Sequence, residues 1–147
     1  MKELHQAIRH AGISGQYCVA QTVQCLPDEK GAYLLMLQLD AAVELNLHKT
    51  DMTRLEAGWY IYSGSAKGPG GLRSRLRRHF RKTKKSHWHV DQLTMQCTDI
   101  AALSVVDGDE CQFISILLKH PTFSIPRKRF GSTDCRKCAS HLLQFNG

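Results

Sequence analysis

Tyr60, Tyr62, Arg75 and His79 are the side chains best suited to chemistry in this chain, and they stand in one segment, GWYIYSGSAKGPGGLRSRLRRH, spanning 58–79. Tyr60 and Tyr62 are two positions apart, so an extended strand turns both rings to one face. The residues Gly64-Ser65-Ala66-Lys67-Gly68-Pro69-Gly70-Gly71 then read as a tight connection. Leu72, Leu76 and Phe80 recur at helical spacing and set Arg75 and His79, one turn apart, along the edge of a buried stripe. Phenols, a guanidinium and an imidazole gathered in this way can grip a phosphate and move protons around it.

The surrounding charge agrees with that chemistry. Arg73, Arg75, Arg77, Arg78, Arg81, Lys82, Lys84 and Lys85 place 8 of the 20 lysines and arginines in thirteen positions, in a chain of net charge +7. A basic helix alone is more often a solvated face, but beside the tyrosines the block favours a polyanion. Lys67, Arg73, Arg77, Arg78, Arg81, Lys82, Lys84 and Lys85 are therefore the candidate nucleic-acid contacts, with DNA favoured over RNA. The glycine-rich turn lacks both the Gly-Lys-Ser/Thr ending of a P-loop and GxGxxG spacing, which excludes ATPase and dehydrogenase readings. It could still offer backbone N–H groups to phosphate at the start of the helix.

The elements that must position these groups follow from the remaining pattern. Residues 2–10 form a short helix, and 17–25 reads either as β-prone or as an irregular arm. Strands are predicted over 33–39, 43–47, 59–63 and 100–106, with a polar connection through Asp51 and Arg54. His87-Trp88-His89-Val90-Asp91 leads into a short helix near 92–95. Asp107-Gly108-Asp109 is a turn and helix N-cap signal ahead of a helix over 110–118. A final helix is expected over about 136–144. With 147 residues, 42% of them hydrophobic, the chain reads as one α/β (α+β) domain around a small, mainly antiparallel, three-stranded central sheet flanked by helices. Its core runs over about 31–118, preceded by an arm (1–30) and followed by an extension (119–147).

Gly31-Ala32-Tyr33, Tyr62-Ser63-Gly64, Arg75, His79 and Glu110 stand in the order found in the GIY-YIG nuclease superfamily, which the chain resembles over about 31–118. It resembles more closely a branch marked here by Gly64-Ser65-Ala66, Gly70-Gly71, Arg78-His79-Phe80-Arg81, His87-Trp88-His89-Val90-Asp91 and a terminal Phe130-Gly131-Ser132…Asp134-Cys135…Ser140-His141-Leu142, which extends the resemblance nearly to the C-terminus. Members of that branch are sometimes joined to endonuclease III-type repair enzymes. The resemblance implies a divalent-metal-dependent endonuclease with catalytic residues Tyr33, Tyr62, Arg75, His79 and Glu110, a DNA-repair enzyme as a possible partner, and Mg²⁺ or Mn²⁺ held by Glu110. Tyr33 would be the base or water-orienting group, its phenolate favoured by Arg75 and the metal. A non-catalytic DNA- or RNA-binding module using the same basic face is the alternative.

The two tyrosine motifs lie 29 positions apart (Tyr33 and Tyr62), wider than the short hairpin of better-known members, and Tyr60 competes for the first role. Many members place a late Asn near the metal. Here only Asn46 and Asn146 exist, so that role passes to Asp134, Ser140 or His141, or is absent. Ser65, His87, His89 and Asp91 are further candidates to line the site, the last three as an HxHxD set sharing one face of an extended segment. Cys135-x-x-Cys138 with His141 offers three zinc ligands without a fourth, so the thiols read as structural. The charged N-terminus and the absence of a long apolar segment point to a cytoplasmic protein with reduced cysteines and no membrane contact. Oligomeric state is not encoded in any of these patterns.

Overall fold

The chain is described by a computed structural model that covers every residue except Lys49, Thr133 and Asp134. Its centre is the strand β2 (Gly31–Leu39), buried along almost all its length. A strand with neighbours on both edges and helices over both faces has no polar side to present, which is why AYLLMLQL is a nearly continuous apolar run. Alternate residues feed two cores: Tyr33, Leu35, Leu37 and Leu39 enter one, and Ala32, Leu34 and Met36 the other.

The remaining elements, in chain order, are α1 (Lys2–His10), β1 (Gln16–Cys18), a 3₁₀ turn (Ala20–Cys25), β2, β3 (Val43–His48), β4 (Asp51–Leu55), β5 (Gly58–Ala66), α2 (Gly71–Phe80), α3 (His89–Gln96), β6 (Asp99–Val106), α4 (Glu110–Leu117), β7 (Phe123–Ser124) and β8 (Leu142–Phe145). The sheet runs β1-β6-β2-β5-β8-β7 and every neighbouring pair is antiparallel. It ends in strands of three and two residues, short edges that give a second chain little to pair with. β3 and β4 form a separate hairpin. The hairpin is tied to α3 by reciprocal bonds between Gln92 and the Asn46 backbone at 2.7 and 2.8 Å.

The α/β class with an antiparallel sheet and flanking helices is as expected, but the sheet has six strands rather than three. The three additional strands, β1, β7 and β8, lie outside 31–118, β1 at the start of the 17–25 stretch read as either β-prone or irregular. β1 belongs to the N-terminal arm, whose helix α1 buries Leu4 and Ile8 in the second core. β8 replaces the helix expected over 136–144. The open side of β5 offers unpaired backbone groups, and pairing from Trp59↔Phe145 to Tyr62↔Leu142 satisfies them while burying Leu142 and Leu143 on opposite faces. The segment expected to be a polar connection through Asp51 and Arg54 is strand β4, anchored by buried Thr53 and Leu55.

Gly64, Ser65 and Ala66, expected in a tight turn, continue β5 and pair with Tyr33, Ala32 and Gly31. Gly64 is needed there: a Cβ would collide with the Tyr33 ring, which lies across its backbone. The turn proper is 67–70. Its predicted offer of N–H groups to phosphate is not met, because residues of the N-terminal arm reach them first. Leu72 N donates to Glu29 O (2.9 Å), Arg73 N to Pro27 O (3.2 Å), Gly71 N to Gly68 O and Ser74 N to Gly70 O. The start of α2 is plugged by the protein's own carbonyls.

Candidate active site

The helix α2 buries Leu72, Leu76 and Phe80 in the first core, and this orientation carries Arg75 and His79 against the tyrosines of β2 and β5. On the other face α4 buries Phe113, Ile114 and Leu117, with its first residue Glu110 at the same end of the sheet. Asp109 fixes that start by accepting from Cys111 N and Gln112 N, the cap expected from the Asp-Gly-Asp signal. Tyr33, Tyr62, Gly64, Ser65, Arg75, His79, Trp88, Glu110, Gly131 and His141 line one cavity of about 230 Å³. Residues from β2, β5, α2, α4 and the C-terminal extension therefore meet.

The two tyrosines differ sharply. Tyr33 is 2% exposed, and its hydroxyl lies 2.6 Å from His79 Nε2. Tyr62 is half-buried, with its ring edge toward His79 and Phe130, and its hydroxyl has no hydrogen-bond partner among the described residues. Burial pushes the Tyr33 phenol well above its ordinary value, and the opposing pull of Arg75 is smaller. Burial likewise raises Tyr62 to about 12. The protein groups thus hold both phenols protonated: Arg75 pulls toward a Tyr33 phenolate, as expected, but burial outweighs it. His79 is driven down to about 3, first by burial and then by the nearby cation of Lys84. It is a neutral imidazole at ordinary pH, able to exchange a hydrogen bond with Tyr33 but resistant to taking a full proton.

That shift has a consequence for stability. His79 titrates near 6.5 when unfolded and about 3 when folded, so the unfolded chain binds the extra proton, and the contribution present above pH 6.5 is lost as pH falls toward 3. Urea titrations should show a loss of about 2 kcal/mol on going from pH 7 to about pH 5 through this residue alone. In His79→Gln that acid limb should flatten; an unchanged limb would mean that His79 titrates normally in the fold.

Trp88 is the residue that sequence reasoning undervalued. The guanidinium carbons of Arg75 and Arg78 lie 4.6 and 4.3 Å from its ring centroid, so the indole supports both cations. It joins the cavity to a neighbouring groove of about 340 Å³ lined by Pro69, Ser74, Arg77, Arg78 and Arg81. The signal was an aromatic residue next to a basic block. Arg75 has no ion-pair partner among the described residues, nor does Glu110.

The basic block divides by task. Arg77, Arg81, Lys85 and Lys67 are exposed. Arg73 donates from Nε to Leu26 O at 2.7 Å, holding the N-terminal arm. Lys82 Nζ caps the end of α3 through Thr94 O and Cys97 O, and Lys84 Nζ caps α2 through Arg78 O and His79 O, both at 3.0 Å. The ammonium groups of both lysines are tied to helix ends, although Lys82 as a residue is exposed. Arg78 makes a two-pronged pair with Asp91 at 2.7 and 2.8 Å.

Asp91 is fully buried and is not in an extended HxHxD face. His89 opens α3, and Asp91 turns back to accept from His87 N (2.7 Å) and Trp88 N (2.9 Å). Burial would raise its carboxyl, but these bonds and Arg78 hold it far below the usual carboxylate range. His87 packs edge-on against Trp88 and lines a separate surface depression with Lys84 and Lys85, while His89 packs near Phe130. Tyr60 shares a sheet face with Tyr62, but its hydroxyl donates to Glu56 O at 2.7 Å, outside the cavity. Of the substitutes for a late Asn, His141 lines the cavity, Ser140 is turned inward to the Leu142 backbone, and Asp134 lies outside the described residues.

The model of a family described as a domain of unknown function, DUF123, matches residues 32–147, and the chain belongs to that family. No curated protein and no solved structure matches it. Among the described residues no helix is long and apolar enough to cross a membrane.

Proposed function

We propose that this protein is a divalent-metal-dependent nuclease of GIY-YIG type acting on nucleic acid, with DNA the favoured substrate. The observation that carries the reading is the single cavity in which an unpaired guanidinium, an unpaired carboxylate and two phenols converge beside a basic groove. Arg75, held on Trp88, grips the scissile phosphate with its planar fork, and Arg77 and Arg81 track the flanking backbone. Tyr62, with its hydroxyl uncommitted, orients the attacking water. Tyr33 and His79 form a buried hydrogen-bonded pair against which the Tyr62 ring packs edge-on. Glu110 suits Mg²⁺ or Mn²⁺: an unpaired carboxylate in a polar cavity is sufficient protein ligation for a cation that retains most of its waters. When bound, the ion would supply charge neutralisation at the phosphate oxygens and an acidified water.

A second reading, a non-catalytic binding module for DNA or RNA, draws support from the protonated state that burial imposes on both tyrosines. The test is cleavage of labelled single-stranded, duplex and branched DNA and of RNA with Mg²⁺ or Mn²⁺, by wild type and Arg75→Ala. Metal-dependent cutting by wild type that Arg75→Ala lacks is expected. Tight, salt-sensitive binding with no cutting of any substrate would overturn the nuclease reading in favour of the module.

A further inference from the structure

The cysteines at the C-terminal end acquire a fourth partner from a distant part of the chain. Cys111, in the first turn of α4, meets Cys135, Cys138 and His141, and one ligand atom from each lies within 4.8 Å of every other. Cys111 Sγ is 3.5 Å from Cys135 Sγ and 3.8 Å from His141 Nε2. In a tetrahedron with Zn–S bonds of about 2.3 Å the ligand atoms stand about 3.8 Å apart, close to the Cys111–Cys135 and Cys111–His141 separations of 3.5 and 3.8 Å. The sulfurs are well beyond bonding distance, and all the cysteines are free thiols.

We infer that Cys111, Cys135, Cys138 and His141 form a structural Cys₃His zinc site, closed by four protein ligands and separate from the Glu110 carboxylate proposed above for Mg²⁺ or Mn²⁺. Three thiolates and an imidazole select a borderline-soft ion such as Zn²⁺ over hard, oxygen-seeking cations. With no open position the ion is not a Lewis acid for substrate. On binding, each of the three thiols releases its proton to solvent and no redox change occurs.

The task of such a site follows from what it joins. Between β7 and β8, the described residues of 125–141 lack regular secondary structure; their ties include Arg129 N to Ala139 O, His141 N to Phe130 O, Ser63 N to His141 O and the Arg127–Asp51 ion pair. A metal bridging α4 to 135–141 would fix this segment, and with it Gly131 and His141 in the cavity wall. It would also clamp the residue next to Glu110. The inference does not depend on nuclease activity, because its readout is metal content.

The test uses the full chain. Protein purified from zinc-replete medium should retain about one zinc per chain by elemental analysis. Chelator-stripped, reduced protein titrated with Co²⁺ should give thiolate-to-cobalt charge transfer and the intense visible bands of a tetrahedral site, saturating at one equivalent. Cys111→Ser and Cys138→Ser should lose or shift those bands, whereas Cys25→Ser, outside the cluster, should keep them. The wild-type titration stands even if a ligand variant fails to fold. No stoichiometric zinc together with no tetrahedral cobalt spectrum would overturn the site. So would a spectrum indifferent to Cys111→Ser, or a Cys111–Cys135 disulfide in protein isolated anaerobically.

Discussion

Glu110→Gln should reduce phosphodiester cleavage by at least about 10²–10³-fold, the size of effect expected when one preorganised charge-handling group is taken from a site. Glu110 is the sole carboxylate among the described residues lining the cavity, and no cation neutralises it. Glutamine keeps its shape and removes its charge. In metal-free buffer a lone carboxylate repels phosphate, so the variant should bind nucleic acid at least as tightly as wild type by fluorescence anisotropy. Single-turnover cleavage supplies the other half of the comparison. Loss of cutting with retained binding and unchanged zinc content would place the fault at Glu110 itself. Full cleavage by the variant would show that the carboxylate has no part in the chemistry, and weakened metal-free binding would give it a structural role.

Asp91→Ala should cost the fold about 3 kcal/mol, the lower end of what breaking a buried ion pair costs, because Arg78 keeps some access to water. The carboxylate stops the chain between α2 and α3 by engaging Arg78 and the N–H groups of His87 and Trp88 together. Its loss frees Arg78 and the Trp88 platform at once, so affinity for nucleic acid should fall with stability. Arg78→Ala is the informative converse, since the carboxylate then stays fully buried with Lys84, 4.0 Å away, as its remaining cation. Its folded pKa, now held down, must rise toward the unfolded value. The stabilisation it provides, present above that unfolded value and lost as pH falls through the folded one, should then disappear at a higher pH than in wild type. Thermal melts of the three proteins across acid pH would register this; coincident acid limbs would mean Asp91 is not held by Arg78.

What the sequence disclosed and what it concealed divide along the range of the interactions. The Leu72–Leu76–Phe80 stripe, the apolar run of β2 and the Asp109 cap are local patterns, each legible within a turn or a strand, and they place Tyr33, Tyr62, Arg75, His79 and Glu110 together. β8 depends on a partner elsewhere: nothing in Leu142–Phe145 announces the edge it fills. The bonds of Lys82 and Lys84 to helix ends are hidden for the same reason, because a charge run does not reveal which of its members meets a helix end. The state of Tyr33 was illegible because burial, which sets it, belongs to the folded chain alone. Cys111 lies 24 positions before Cys135, and only the fold makes them neighbours.

The carbonyls of Pro27 and Glu29 close the start of α2, and β1 covers the outer edge of β6, yet both precede the segment that the family match delimits at residue 32. Anyone trimming an expression fragment to that boundary would uncork the helix carrying Arg75 and expose a long hydrogen-bonding margin to its neighbours in solution. The recurring family unit and the unit that folds are, for this protein, of different lengths.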